Sequence, residues 1–258
     1  MKKVIIQGIL FDEKSSYQRG PELAPPLIRE ALHSGSMNLY TENGISVESS
    51  IDDKGDFEIS EYFDIEKITK THLDLNSKIL TLGGDHSITF PIIKAHHEKY
   101  PKLDILHIDA HSDLYDSFEG DKYSHACPFA RIMENGFAVK LVQVGIRTLN
   151  THQAEQAKKF DVDILEMKNL EISKIPKFKN PLYITLDMDG FDPAYAPGVS
   201  HHEPGGLSSR QVIEIIQNID TEVVGADIVE YNPTRDFQNM TAFLAAKMMK
   251  EIIGKMIE

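Results

Sequence analysis

Leu103-Asp104-Ile105-Leu106-His107-Ile108-Asp109-Ala110-His111-Ser112-Asp113 joins a short apolar run to a cluster of acids and an imidazole. Working outward, comparable runs recur at Val4–Leu10, Lys78–Leu82, Leu141–Val144, Asp163–Glu166, Leu182–Leu186 and Val223–Val229. Each is continuous rather than strictly alternating, the pattern of a strand buried on both faces of a parallel sheet. Amphipathic stretches lie between them. Pro21–His33 is expected to be a helix, with Pro near its start and Gly35 just past its end. Ile88–Tyr100 stops before Pro101, and Ser208 is placed to cap Ser208–Ile219. Asn239–Ile257 carries Phe243, Leu244, Met248, Ile252 and Met256 at helical spacing, and its methionines are read as core packing. No linker or repeat divides the chain. The expectation is one α/β domain over residues 1–258, a central mostly parallel sheet between helical layers. Ligands bind such sheets beyond the carboxyl ends of the strands.

Composition narrows the classes of function. No apolar run approaches the roughly 20 residues a membrane span needs. The opening MKKVIIQGIL reads as a first strand, because no small-residue cleavage site follows it. A single cysteine, Cys127, excludes an internal disulfide framework and points to a reducing compartment, so the cytoplasm is expected. The formal charge of −13 argues against nucleic acid and anionic membrane as partners. It is compatible with a cationic small molecule, although net charge speaks mainly to solubility.

Four segments carry chemistry, and each follows a predicted strand: Gly83-Gly84-Asp85-His86-Ser87, Asp109-Ala110-His111-Ser112-Asp113, Asp187-Met188-Asp189-Gly190-Phe191-Asp192-Pro193 and Asp227-Ile228-Val229-Glu230. Asp109, His111 and Asp113 are spaced by two, so an extended chain projects them to one side; Asp187 and Asp189 behave alike. With His86 they would converge above the sheet. That much negative charge is costly unless a cation neutralises it. Carboxylate and imidazole donors suit Mn²⁺ or another first-row divalent ion. Six ligands exceed what one open catalytic metal uses, and fit two metals sharing bridging carboxylates with a water between them. Taken singly, each segment has a plainer reading as a turn or a Mg²⁺ site. The DMDG stretch alone also suggests the aspartyl nucleophile of haloacid-dehalogenase phosphatases, but Phe191-Asp192-Pro193 follows it here.

Together the segments resemble the ureohydrolases, the family of arginase and agmatinase. GGDHS, DAHSD and DMDGFDP look like that family's three metal-binding signatures in order. RGPELAPPLIREAL, YSHACPFARIM, DPAYAPGVSHHEPGGLS and GADIVEYNPTRD sharpen the resemblance towards plant-type arginases. It implies a three-layer α/β/α sandwich, two Mn²⁺ per subunit and a homo-oligomer, trimer or hexamer. One metal would be held by His86, Asp109, Asp113 and Asp187, the other by Asp109, His111, Asp187 and Asp189, with Asp109 and Asp187 bridging. Metal-activated hydroxide would attack the guanidinium carbon, Asp113 orienting it and taking its proton. Glu230 would hold the guanidinium, whose planar fork of donors matches a carboxylate. His125 would move the proton to the leaving amine.

The substrate implied is L-arginine, cleaved to urea and L-ornithine, with agmatine or another guanidino compound as the alternative. Tyr115 stands where animal and bacillary arginases place an asparagine that holds the α-carboxylate, so one arginine marker is missing. Tyr115 and His202 join Glu230 and His125 as expected substrate contacts; His201 and Arg147 are left open. His33, His72, His96, His97, His107 and His152 read as surface or core histidines, and Cys127 as packed beside His125. A two-metal phosphoesterase and an inactive metal-binding subunit remain more distant readings. The first lacks a Gly-rich phosphate cradle, and the second lacks any missing ligand to motivate it.

Overall fold

The computed structural model describes residues 3–75 and 77–258; Met1 and Lys2, which open the MKKVIIQGIL stretch, lie outside them. The strands are β1 (Val4–Leu10), β2 (Ile51–Glu58), β3 (Lys78–Leu82), β4 (Asp104–Ile108), β5 (Lys140–Ile146), β6 (Asp163–Glu166), β7 (Leu182–Asp187) and β8 (Val223–Val229). The helices are α1 (Ala24–Leu32), α2 (Asp64–Leu73), α3 (Thr89–Lys99), α4 (Pro128–Glu134), α5 (Thr151–Phe160), α6 (Ser209–Gln217) and α7 (Met240–Ile257). The strands form one eight-stranded sheet in the order β2-β1-β3-β8-β7-β4-β5-β6, and every neighbouring pair is parallel.

Helices cover both faces. Residues α1, α6 and α7 bury, such as Ile28, Val212, Ile216, Met248 and Ile252, pack on Leu82, Leu106, Ile108, Ile184 and Ile228. On the other face Ile65, Ile92, Ile93, Phe129, Ile132 and Ala157, from α2 to α5, pack on Ile105, Leu141, Tyr183 and Val224. Adjacent residues of one strand therefore serve opposite cores, which is why these strands read as unbroken apolar runs. The expected three-layer sandwich is observed, with a sheet that is wholly parallel.

Local signals act as expected at several ends. Ser208 caps α6 in a capping box with Gln211, and α1 is entered through a short 3₁₀ turn starting at Pro21. In α7, Met248, Ile252 and Met256 are fully buried, whereas Phe243 and Leu244 are only half-buried. Between β3 and β4 the chain jumps across the sheet, and β8 and β7 later fill the gap. The strand order reverses there, the position where open α/β sheets bind ligands. All four chemistry-bearing segments leave these four central strands.

Candidate metal centre

His86 begins the turn after β3, where the Asp85 side chain accepts the Ser87 N–H at 3.0 Å. Gly84 is required just before it. A Cβ there would sit 1.6 Å from the Phe11 carbonyl oxygen, which accepts the Asp85 N–H. The turn aims His86 Nδ1 at three carboxylates: Asp187 Oδ2 at 3.0 Å, Asp113 Oδ2 at 3.1 Å and Asp109 Oδ2 at 3.2 Å. Its Nε2 lies 2.9 Å from Thr185 Oγ1. A second group adjoins the first through Asp109: His111 Nδ1 stands 3.1 Å from Asp189 Oδ2 and 3.5 Å from Asp109 Oδ1.

All six expected ligands thus meet in one place, with Asp109 shared between the two groups. Asp109, Asp113, Asp187 and Asp189 are buried, as is His86, and only His111 is half-buried. Asp113 adopts φ 48° and Glu230 φ 62°, the left-handed region that side chains other than glycine rarely occupy. Such backbone strain concentrates where function holds a side chain in place.

The donor set fits two divalent ions. Donor atoms about 2.1 Å from an octahedral ion lie roughly 3 Å from one another, which matches the spacing around His86 Nδ1. Among the described residues that nitrogen is buried with no well-aligned hydrogen bond, although the three carboxylate oxygens crowd around it. Four carboxylates balance the charge of two divalent ions, and neutral imidazoles complete the set. The electrostatics agree. Burial opposes a charge on His86, yet Asp109, Asp113 and Asp187 hold its pKa well above the ordinary value. His111 is raised likewise against burial by Asp189 and Asp109. Burial, then Asp189 and Asp109, push Asp187 well up. Protons on the two imidazoles would offset only part of the charge of four carboxylates, and metal binding would displace them.

The cluster floors a cavity of about 200 Å³ lined by His111, Asp113, Asp187 and Asp189, and also by Ser16, Tyr115, His125, Thr148, Gln153, His201 and Glu230. Glu230 Oε1 accepts from His125 Nδ1 and from the His86 N–H, each at 2.9 Å. Burial disfavours a charge on His125, but Glu230, Asp85 and Asp113 overcome it and raise its pKa to about 9. Burial opposes ionised Glu230 in turn, and His125 reverses this, so its pKa falls below the ordinary value. The two form a buried ion pair on the cavity wall.

Several side chains stand elsewhere than the sequence suggested. His202 does not line the cavity: it is exposed, and its ring binds the Pro197 carbonyl at 2.7 Å. His201 takes that place, 5.3 Å from the His125 ring and 5.9 Å from the His111 ring, centroid to centroid. The backbone turn between the adjacent histidines decided this, and no pattern distinguished them. His107 is more than a packed histidine, since its Nε2 lies 2.7 Å from Asp109 Oδ2 while Gln143 Nε2 donates to its Nδ1 at 3.0 Å. Alternation along β4 places His107 on the same side as Asp109, a signal that was available. Tyr115 does line the cavity, with Asn150 Nδ2 on its hydroxyl and His152 stacked on its ring. Arg147 is structural: its guanidinium gathers the carbonyls of Glu203, Asp189, Gly190 and Phe191. Cys127 is buried as expected, and burial pushes its thiol up to about 12. Asp227 lies below the cavity, accepting hydrogen bonds from Thr89 and Tyr183.

Sheet and cluster define the class: a parallel α/β scaffold carrying, at its switch point, a carboxylate–histidine cluster fit to hold two metal ions. Residues 2–254 match the Arginase family. Arginase 1, mitochondrial, of Arabidopsis thaliana is 45% identical over 271 residues, 96% of this chain and 79% of that protein. The solved arginase from Medicago truncatula superposes with a TM-score of 0.95 at 42% identity, covering 99% of this chain and 87% of that one. Agmatinase of Bacillus cereus is more distant, at 34% identity over 97% of this chain and 91% of that protein. The chain belongs to the arginase family, and it is an arginase-family hydrolase.

These matches correct one expectation. The plant relatives named with a compartment are mitochondrial or chloroplastic, so the cytoplasmic assignment drawn from the single cysteine does not stand. Cysteine usage reports a reducing environment, which the matrix of an organelle also supplies.

Proposed function

We propose that this protein hydrolyses L-arginine to urea and L-ornithine, using two Mn²⁺ ions per subunit and working as a homo-oligomer, trimer or hexamer. The observation that carries the reading is one cavity holding both the six-ligand cluster and the Glu230–His125 pair. When bound, the two ions would supply an acidified water as nucleophile near neutral pH. His86, Asp109, Asp113 and Asp187 would hold one ion and Asp109, His111, Asp187 and Asp189 the other.

The protein's own residues do the rest. Glu230 keeps its Oε1 occupied by His125 and the His86 N–H, while its Oε2 makes no hydrogen bond among the described residues. That oxygen is free to accept from a guanidinium N–H, and the carboxylate charge faces the cation. Asp113, on the cavity floor, orients the attacking water and accepts its proton. His125 carries a proton for the departing amine, and its place on the cavity wall beside Glu230 suits that delivery. Half-buried walls exclude bulk water and strengthen each of these interactions.

Arginine is favoured over agmatine because the plant arginases match more closely than the agmatinases. A phosphoesterase reading finds no support in the cavity, whose lining has no lysine or arginine to hold a phosphate. The test is urea release by Mn²⁺-loaded protein given arginine and agmatine side by side, with metal content and sedimentation measured on the same sample. Strong preference for arginine is expected. Preference for agmatine would overturn the substrate, and no urea from either would overturn the reaction.

A further inference from the structure

Resting on the arginine reading above, we infer that Ser16 is the proton relay of the site, carrying protons between His125 and the cavity through its hydroxyl. The His125 ring has two nitrogens, and Nδ1 is engaged by Glu230 at 2.9 Å. The other, Nε2, lies 2.8 Å from Ser16 Oγ and 3.2 Å from the Ser16 backbone N. Both ring nitrogens therefore have partners, and among the described residues Ser16 Oγ is the side-chain partner of Nε2.

The two Ser16 groups respond differently to the state of the ring. A backbone N–H only donates, so it suits Nε2 when its lone pair is free. A hydroxyl donates to the neutral ring and accepts from the protonated one. It is the partner that stays satisfied in both states, as a relay must.

The segment that carries Ser16 is also tied down at several points, through Asp85 as well as through the His125 backbone. The Lys14 N–H and the Ser15 hydroxyl donate to Asp85 Oδ2 at 2.9 and 3.3 Å, and the His125 N–H donates to the Lys14 carbonyl at 3.2 Å. Lys14 Nζ pairs with Asp121 at 2.6 Å, and Arg19 with Asp12 at 2.6 Å, on either side of it. Ser16 is half-buried and lines the cavity, whereas His125 is only 9% exposed. Both side chains line the cavity, with the Ser16 hydroxyl beside the Nε2 edge of the ring.

The step balances simply. The Nε2–H bond of His125 breaks as its proton joins Ser16 Oγ. The Ser16 O–H bond breaks as that proton joins the amine nitrogen or a cavity water. The hydroxyl is regenerated, and one positive charge has moved from ring to acceptor. Reversal with water recharges the ring.

The test compares kcat and KM for arginine in the Mn²⁺-loaded wild type, Ser16→Ala and Ser16→Thr, with and without added imidazole, alongside metal content and melting temperature. Ser16→Ala is expected to lower kcat about tenfold or more with KM little changed, since positioned proton transfer contributes roughly 10²–10⁴-fold. Ser16→Thr, which keeps the hydroxyl, restores most of it. Imidazole, a diffusible proton carrier, raises kcat in Ser16→Ala and leaves the wild type unmoved. Wild-type kcat in Ser16→Ala overturns the relay, as does a loss that imidazole leaves unchanged or one that follows lost metal or stability. A wild type that releases no urea from arginine sinks the reading beneath, and the relay with it.

Discussion

The two faces of the central sheet are built from alternate residues of the same strands, yet they differ in kind. Towards α1, α6 and α7 the central strands present Leu80, Leu82, Ala226, Ile228, Ile184, Leu186, Leu106, Ile108, Val142 and Val144, all apolar. Towards α2 to α5 the same strands carry a polar row, Gln7, Thr81, Asp227, Thr185, His107 and Gln143, each paired in register with the next across the sheet. Every member is fully buried. Two positions further along β4 and β7, on that same face, stand Asp109 and Asp187. Both faces supply packing energy, and the second adds an oriented underlay for the metal ligands. Outer partners of this sort fix ligand tautomers and orientation.

Substitutions can break or sharpen that contrast. The largest effect is expected from Asp187→Asn, which removes a carboxylate shared between the two expected ion sites. Metal content and urea release should vanish together, and retained metal would refute the bridging role. Glu230→Gln should keep both metals and lose turnover by roughly 10²–10³-fold, the scale of one oriented charge partner at a reacting centre. Full activity would show that the guanidinium is held elsewhere.

On the apolar face, Leu106→Ala should cost about 2–5 kcal/mol in urea unfolding through lost burial and a cavity, with metal affinity of the folded protein unchanged. On the polar face, His107→Phe keeps the ring stacked on Phe129, now 4.0 Å between centroids, but removes the donor to Asp109. Metal affinity should weaken by roughly 10–100-fold, and His107→Gln, which retains an N–H, should lose less. Equal affinities in titration calorimetry would show that the underlay is only packing.

The smallest effect concerns acid stability. Burial lowers the pKa of His96, beneath the same face, from 6.5 to about 4. The unfolded chain therefore binds this proton first, and stability falls as pH drops from about 6.5 towards about 4. His96→Phe should flatten that limb of a melting-temperature profile. An unchanged slope would mean that another group governs it.

What the sequence made legible follows from the same contrast. Seven strands were visible, six because burial on both sides leaves apolar runs and the edge strand β6 through the short apolar centre of DILE, and their bounds differ from the observed ones by at most two residues. β2 was not, since Ile51–Glu58 is an edge strand reading IDDKGDFE with half its residues facing solvent. Of the helices, α2, α4 and α5 were missed: the first and last are polar on their outer faces, and α4 is only seven residues long. The six cluster residues were legible because side chains two apart at a strand end must share a side. Ser16 was not, because an irregular loop brings it to the cavity and its spacing carries no period; the His201-His202 loop was legible as a candidate, but not which of the two histidines faces the cavity.

The strand pairing that builds the centre also dictates when it forms. Ile79 pairs with Gly225, and Asp104 with Leu182, so the ligands meet only after very long loops have closed. Contacts so remote in the chain form slowly. An ion cannot template them, because no local segment holds a complete set of donors. A bound ion would act as a late lock: it would leave the folding rate alone, slow unfolding, and make the protein's lifetime a function of free metal.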